Sequence, residues 1–266
     1  MNRLVAVISL ACLSVISACA SSSAADKQPA TSSNPQQKGD SVDAPLQSLT
    51  YMRQGSVLIQ QGRYQEALES FQVANRIAPG NATNLNMMGL CYLSLNQLDQ
   101  ALKAFDEVLE MLPQFTDARN NRGATYLAMG QYHLAEVDFI AVLGDSTYPH
   151  RKQVYYNLGL TYMKRGQLGA AEENFRKAII PPNPVLNAYI QLAQVSQQQG
   201  NPDAALAFLE EAKLEFPDRT EISFELGKLL MIMGDEEQAR PYLEQVIADA
   251  PKSDQAATAR TLLGKG

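Results

Sequence analysis

The sequence predicts an all-α chain, a solenoid of six helix–turn–helix repeats closed by a C-terminal capping helix. Three columns of residues carry that expectation. Alanine recurs at Ala67, Ala101, Ala135, Ala171, Ala205 and Ala239, at intervals of 34, 34, 36, 34 and 34 residues. Twelve residues before each alanine stand Gly55, Gly89, Gly123, Gly159, Ala193 and Gly227, and four after each come Phe71, Phe105, Phe139, Phe175, Leu209 and Leu243. A fixed period of this length, held in several columns, is the mark of stacked supersecondary units.

Before the repeats comes a segment that does not belong to the fold. Arg3 supplies a positive charge and Leu4 to Ile16 forms an apolar run of 13 residues. As a helix this run reaches about 20 Å, short of a membrane core of roughly 30 Å, so it reads as a signal segment and not as a span. It ends in Ile16-Ser17-Ala18-Cys19, which resembles the bacterial lipobox. That resemblance implies cleavage after residue 18, acylation of Cys19 and a lipid anchor. Ala20 and Ser21 are not the acidic residues that commonly retain such proteins in the inner membrane, so the resemblance favours the outer membrane, with the chain on its periplasmic face. Residues 19–47 then read as the lipidated cysteine and a flexible tether, because the stretch is rich in Ser, Ala, Gln and Pro and holds too few large apolar groups to build a core.

The six repeats run 48–81, 82–115, 116–151, 152–185, 186–219 and 220–253. Within each, two patterns at helical spacing flank a break; Tyr155, Leu158, Gly159 and Tyr162 show one such face. Gly159 and Ala171 are small where two antiparallel helices approach closely, and Phe175 is expected to fill the space between neighbouring hairpins. Pro79, Pro113, Pro217 and Pro251 end the second helices, since proline lacks the amide hydrogen a helix needs. A two-residue insertion lies in Gly144–Arg151, and Pro181-Pro182-Asn183-Pro184 stiffens the junction between the fourth and fifth units. In the third unit Arg119 and Arg122 stand where apolar residues are expected, so its first helix should pack less well. Residues 254–266 form the capping helix and tail, covering the last apolar face.

These residues resemble the tetratricopeptide repeat, and the best local match is Tyr155-x₂-Leu158-Gly159-x₂-Tyr162 followed by Ala171-x₃-Phe175. The resemblance implies a right-handed superhelix whose first helices line a concave groove at positions 2, 5, 9, 12 and 13 of each unit. Mapped onto this chain, those positions give Leu49, Met52 and Ile59; Leu90 and Leu93; Tyr156, Leu160 and Met163; and Phe224, Met231 and Ile232. Asn86, Asn120, Gln153, Gln194 and Gln197 lie between them, uncharged groups able to bond an extended backbone.

Composition narrows the chemistry further. The chain has 266 residues, 22 Lys plus Arg against 28 Asp plus Glu, and a net charge of -6, a poor match to a phosphate backbone. Its three cysteines make no disulfide framework, and His133 and His150 are too few and too far apart for a metal site. Once Cys12 leaves with the signal and Cys19 is acylated, Cys91 remains as a small packed hydrophobe. Asp235-Glu236-Glu237 opens a second helix, where the helix dipole favours acidic groups, and Asn81-Ala82-Thr83 reads as helix capping. No motif for a nucleophile, a phosphate loop or a metalloprotease is present, so the expectation is a protein-binding chain with no cofactor, no metal, no nucleic acid and no small-molecule substrate.

Taken together, the lipobox, polar tether, six repeats and the segment Tyr148-Pro149-x₅-Tyr155-x₂-Leu158-Gly159-Leu160 resemble the type IV pilus pilotin family of the PilF, PilW and Tgl type. That resemblance implies a non-enzymatic lipoprotein that binds secretin subunits and promotes their localisation and multimerisation in the outer membrane. A generic periplasmic repeat lipoprotein, serving another envelope assembly or enzyme, is the alternative.

Overall fold

The computed structural model describes residues 40–264, and side chains from residue 44 onward. The signal segment, Cys19 and the tether as far as residue 39 lie outside the described residues.

Every regular element described is a helix. Six antiparallel hairpins follow in order: α1 (Asp40–Gln60) with α2 (Tyr64–Ile77), α3 (Ala82–Ser94) with α4 (Leu98–Met111), α5 (Thr116–Ala128) with α6 (Tyr132–Gly144), α7 (Arg151–Lys164) with α8 (Leu168–Ile179), α9 (Leu186–Gln198) with α10 (Pro202–Glu215), and α11 (Thr220–Met233) with α12 (Glu236–Asp249). A last helix, α13 (Asp254–Leu262), follows them. The helices gather into two compact units, one ending at Pro149 and the other beginning at His150.

Local chemistry sets the helix ends. Asn81 caps α3 by accepting the Asn84 amide at 2.9 Å, and Asp235 caps α12 by accepting that of Gln238 at 3.0 Å. Asn201 does the same for α10, with Pro202 in the first turn where its missing N–H costs nothing. At the far ends, Pro79, Pro113, Pro217 and Pro251 each stand two residues past the last residue of a second helix. The hairpin turns carry a left-handed residue at one register. Gly130, with φ of 74°, has the usual side-chain-free solution, whereas Asn96 takes the same place with φ of 58°.

Close packing inside each hairpin explains the glycine column. A Cβ built on Gly159 would fall 2.6 Å from the Phe175 ring, and one on Gly55, Gly89 or Gly123 would strike Phe71, Phe105 or Phe139 at 2.9 Å or less. The ring therefore sits on the glycine of its own hairpin. This corrects the expectation that Phe175 fills the gap between neighbouring hairpins: sixteen residues bring the second helix back over the first, so the partner is internal. Ala67, Ala101, Ala135, Ala171, Ala205 and Ala239 are fully buried beside these seats. In the fifth hairpin Ala193 replaces the glycine and the smaller Leu209 replaces the ring, both buried in one cluster. At the C-terminus α13 buries Ala259 and Leu263 against Leu230, Leu243 and Val246, closing the last hairpin.

Two further expectations need correction. Residues 40–47, read as tether, already belong to α1. Buried Ser48 holds this helix in place by donating to the Ala74 carbonyl at 3.1 Å, while Leu46 and Leu49 stay 65% and 47% exposed. A helix whose leucines are not buried carries no apolar periodicity to betray it. The third hairpin does not pack loosely either. The Arg122 guanidinium donates twice to Asp138, at 2.8 Å each, and a third time to Asp106 of α4 at 2.8 Å. It also lies 5.8 Å from the Tyr126 ring centroid. Arg119 donates to the Pro113 carbonyl. The inserted loop is equally ordered: Asp145 accepts the Thr147 amide at 2.9 Å, and buried Tyr148 donates to Asp117 at 2.9 Å.

Candidate partner-binding surface

The first helices of the hairpins carry the residues expected to line a groove, and burial separates them into two sets. Ile59, Leu90, Leu93, Tyr156 and Phe224 are buried. Ile59 and Leu90 share a cluster with Leu58, Phe71 and Cys91, so they join the first hairpin to the second. Tyr156 packs on Phe175 with ring centroids 5.8 Å apart, and burial pushes its hydroxyl up to about 12. Phe224 belongs to the cluster closed by α13. These five are core and cannot meet a partner; a repeat position that faces one way is filled wherever the next helix leans over it.

What remains accessible is narrower. Leu49 is exposed on α1 and Met52 half-buried beside it, while Ser56 closes its hydroxyl onto the Met52 carbonyl at 2.9 Å. In the second unit Leu160 and Met163 of α7 are half-buried, as is Met231 of α11, and Ile232 stands exposed. The amides sort in the same way. Asn86 is buried and spends its oxygen on the Asn121 amide at 3.2 Å. Asn120, one repeat further along, keeps a buried Oδ1 with no hydrogen-bond partner among the described residues. Gln153 and Gln194 are half-buried, and Gln153 donates to Asn157 at 3.3 Å. Gln197 turns back onto the Ala193 carbonyl at 3.4 Å. A side chain set of thioethers, leucines and neutral amides suits an apolar or extended peptide better than a charged small molecule.

Burial pushes the Cys91 thiol up to about 12, so it stays protonated and unreactive near neutral pH. The bond to Asp138 holds the Arg122 guanidinium above its ordinary range, partly offset by desolvation. Among the described residues no three His, Cys, Asp or Glu side chains cluster as metal ligands, and no helix is long and apolar enough to cross a membrane. The Arg122–Asp106–Asp138 group is the one site the sequence reading missed. Its signal was an arginine sixteen residues before an aspartate, the same offset as the glycine–phenylalanine seats.

Hairpins of this length and seat chemistry define a helical-repeat scaffold. Family models described as tetratricopeptide repeat match residues 58–120 and 187–263, and a second such model matches 152–179. The chain belongs to the tetratricopeptide repeat family. It is a scaffold of the kind that binds protein partners. Protein CTR9 homolog of Arabidopsis thaliana is 26% identical over 256 residues, covering 80% of this chain. The chain spans about a quarter of the length of such curated relatives. Among solved structures, the fold is similar to that of PilW, described as a widely conserved type IV pilus biogenesis factor. The TM-score is 0.71 with 21% identity, over 79% of this chain and 97% of that one. It is likewise similar to pilF of Pseudomonas aeruginosa, with a TM-score of 0.67 and 17% identity over 82% of this chain and 98% of that one.

Proposed function

We propose that this chain is a lipid-anchored, non-enzymatic assembly factor of the bacterial outer membrane, a pilotin that binds secretin subunits and promotes their delivery and multimerisation for a type IV pilus. The observation that carries the reading is the union of two features in one chain. Ile16-Ser17-Ala18-Cys19 has the form of a lipid-attachment motif, and the hairpin array shares its fold with PilW over 97% of that chain. The mechanism follows from the parts. Several acyl chains on Cys19 hold the protein at the membrane, since each buried CH₂ contributes about 0.8 kcal/mol. Twenty residues separate Cys19 from the first described helix, and their Ser-, Ala-, Gln- and Pro-rich composition suits a tether between anchor and repeats. The accessible side chains of the first helices, Leu160 and Met163 of α7 among them, then hold an unassembled subunit through its apolar segment.

The test is Cys19→Ser expressed as the sole copy. The expected result is repeat protein in the soluble periplasmic fraction, with secretin multimers reduced or stranded in the inner membrane while binding of the subunit persists. Normal outer-membrane multimers in that strain would overturn membrane delivery and favour an adaptor for a different envelope assembly.

A further inference from the structure

The outer face of α6 differs from that of every other second helix described. Its inner face is filled by Ala135, Asp138, Phe139 and Val142, all buried. On the opposite side Leu134, Val137 and Ile140 are 48%, 64% and 52% exposed. The repeat register shows how unusual this is. The same three positions carry Glu66, Glu69 and Gln72 on α2, and Gln100, Lys103 and Asp106 on α4. Large aliphatic groups placed where α2 and α4 place charged or amide groups are not explained by folding, because nothing in the described residues covers them.

The neighbourhood specifies what would. Arg122 bonds Asp106 of α4 and Asp138 of α6 at once, so one guanidinium sets the two second helices side by side. Helical spacing places Leu134 and Ala141, four before and three after Asp138, on the flank of α6 that adjoins it and thus towards α4, with Val137 beside them on the outer face. The outer surface of α4 is acidic: Asp99, Glu107 and Glu110 are exposed with a single lysine, Lys103, and line a shallow concavity on that helix. Helical spacing sets Asp99 and Glu110 on the same face as Asp106, towards α6. An apolar wall therefore stands beside an acidic wall, about two helical turns long.

We infer that the outer surface of α4 and α6 is a second docking site, whose occupant is an amphipathic helix of a partner protein with an apolar face flanked by Lys or Arg. The leucine-type face covers Leu134, Val137 and Ile140, and the basic flank lies against Asp99 and Glu110. Such a site is separate from the first-helix surface and does not depend on Cys19. A patch of this size gives a weak, exchangeable contact with strong salt dependence.

The test uses the full chain and a fluorescein-labelled 18-residue Leu/Lys peptide with leucines at i, i+3, i+4 and i+7, read by anisotropy at low salt. Binding is expected, weakened at least tenfold by Val137→Asn or Leu134→Gln, and at least threefold by Asp99→Asn with Glu110→Gln. Ala207→Asn, at the matching exposed position of α10, should leave it unchanged. A Leu/Glu peptide binding equally well, or the Leu/Lys peptide binding Val137→Asn as tightly as the unmodified chain, would overturn the site. So would a concentration-dependent dimer abolished by Val137→Asn, which assigns the stripe to a second copy. Co-sedimentation with phosphatidylglycerol/phosphatidylethanolamine vesicles, lost in the same variant, would assign it to lipid. Melting temperature is read alongside; these side chains are half-exposed or more, so both single variants should melt with the unmodified protein.

Discussion

Arg122 and Asp138 stand sixteen residues apart and meet in a two-pronged ion pair, one position upstream of the seat in which Phe139 rests on Gly123. The Asp138 side chain is 3% exposed and that of Arg122 23%, so the pair is sealed on the carboxylate side and wet on the other. Elsewhere the position before the seated residue holds Ser70, Ala104, Asn174, Phe208 or Tyr242, none of them charged. One hairpin has exchanged neutral packing for a charge that reaches across to Asp106.

The two ends of that pair should respond unequally. Arg122→Ala leaves a buried carboxylate without its donor and is expected to cost about 3 kcal/mol, the low end for a broken buried pair because water reaches one side. Asp138→Ala leaves a guanidinium that still has Asp106 and solvent, and should cost about half as much. Arg122→Leu combined with Asp138→Ala should return to within about 1 kcal/mol of the unmodified chain. Urea melts followed by circular dichroism measure all three; a double variant as unstable as Arg122→Ala would show that the charge itself is required.

The glycine seats give a sharper packing test. Gly159→Leu must displace the Phe175 ring and is expected to cost about 1–3 kcal/mol. The chain contains its own remedy, since Ala193 with Leu209 occupies the equivalent seat. Gly159→Ala paired with Phe175→Leu should therefore be less damaging than the sum of its parts, with a coupling of about 1 kcal/mol in a double-mutant cycle. Strict additivity would mean the two side chains do not meet.

Cys91 should tie stability to alkaline pH. Its thiol ionises near 8.5 in an unfolded chain and at about 12 when folded, because burial disfavours the thiolate. The contribution is fully present below the unfolded value and is lost as pH rises from there towards about 12, at up to about 1.4 kcal/mol per pH unit. Cys91→Val should flatten the fall between pH 8.5 and 10, before tyrosines such as Tyr156 begin to add theirs. Folded protein should react with a thiol-specific dye only as fast as it unfolds, and rapid labelling at pH 8 would show the thiol to be reachable.

Charge placed on the first helices should divide them into core and surface. Tyr156→Glu forces a carboxylate against Phe175 and should abolish cooperative melting. Met163→Glu, half-buried on the same helix, should keep the melting curve and lose capture of the partner subunit in a pull-down. Equal capture by Met163→Glu and the unmodified chain would remove this surface from the binding site.

The repeat itself was legible because its signals are short-range and recur at a fixed interval: a small residue, a ring sixteen residues later, a proline after the second helix. Asn81 and Asp235 could likewise be read as caps, since a cap bonds an amide only three residues away. The binding residues were not legible in the same way. Position within a repeat tells which side of its helix Leu90 occupies, but only the lean of the first hairpin decides that Leu58 and Ile59 cover it. Arg122 looked like a defect for a related reason: its partners are on α4 and α6, and no single helix shows both. The start of α1 was hidden by exposed Leu46 and Leu49, which leave no periodic apolar face.

Phe105 resting on Gly89, inside one hairpin, has a consequence for how such a chain diverges. Each module carries the instructions for its own closure, so its outward residues are released from any duty in folding. Mutation can rewrite them one module at a time, and the aliphatic stripe at Leu134, Val137 and Ile140 lies on such a face. Insertions obey the same division: the two extra residues fall between Gly144 and Arg151, outside every seat. Heritable change in recognition is thereby uncoupled from heritable change in architecture, and new specificities accumulate on a backbone that selection need not rebuild.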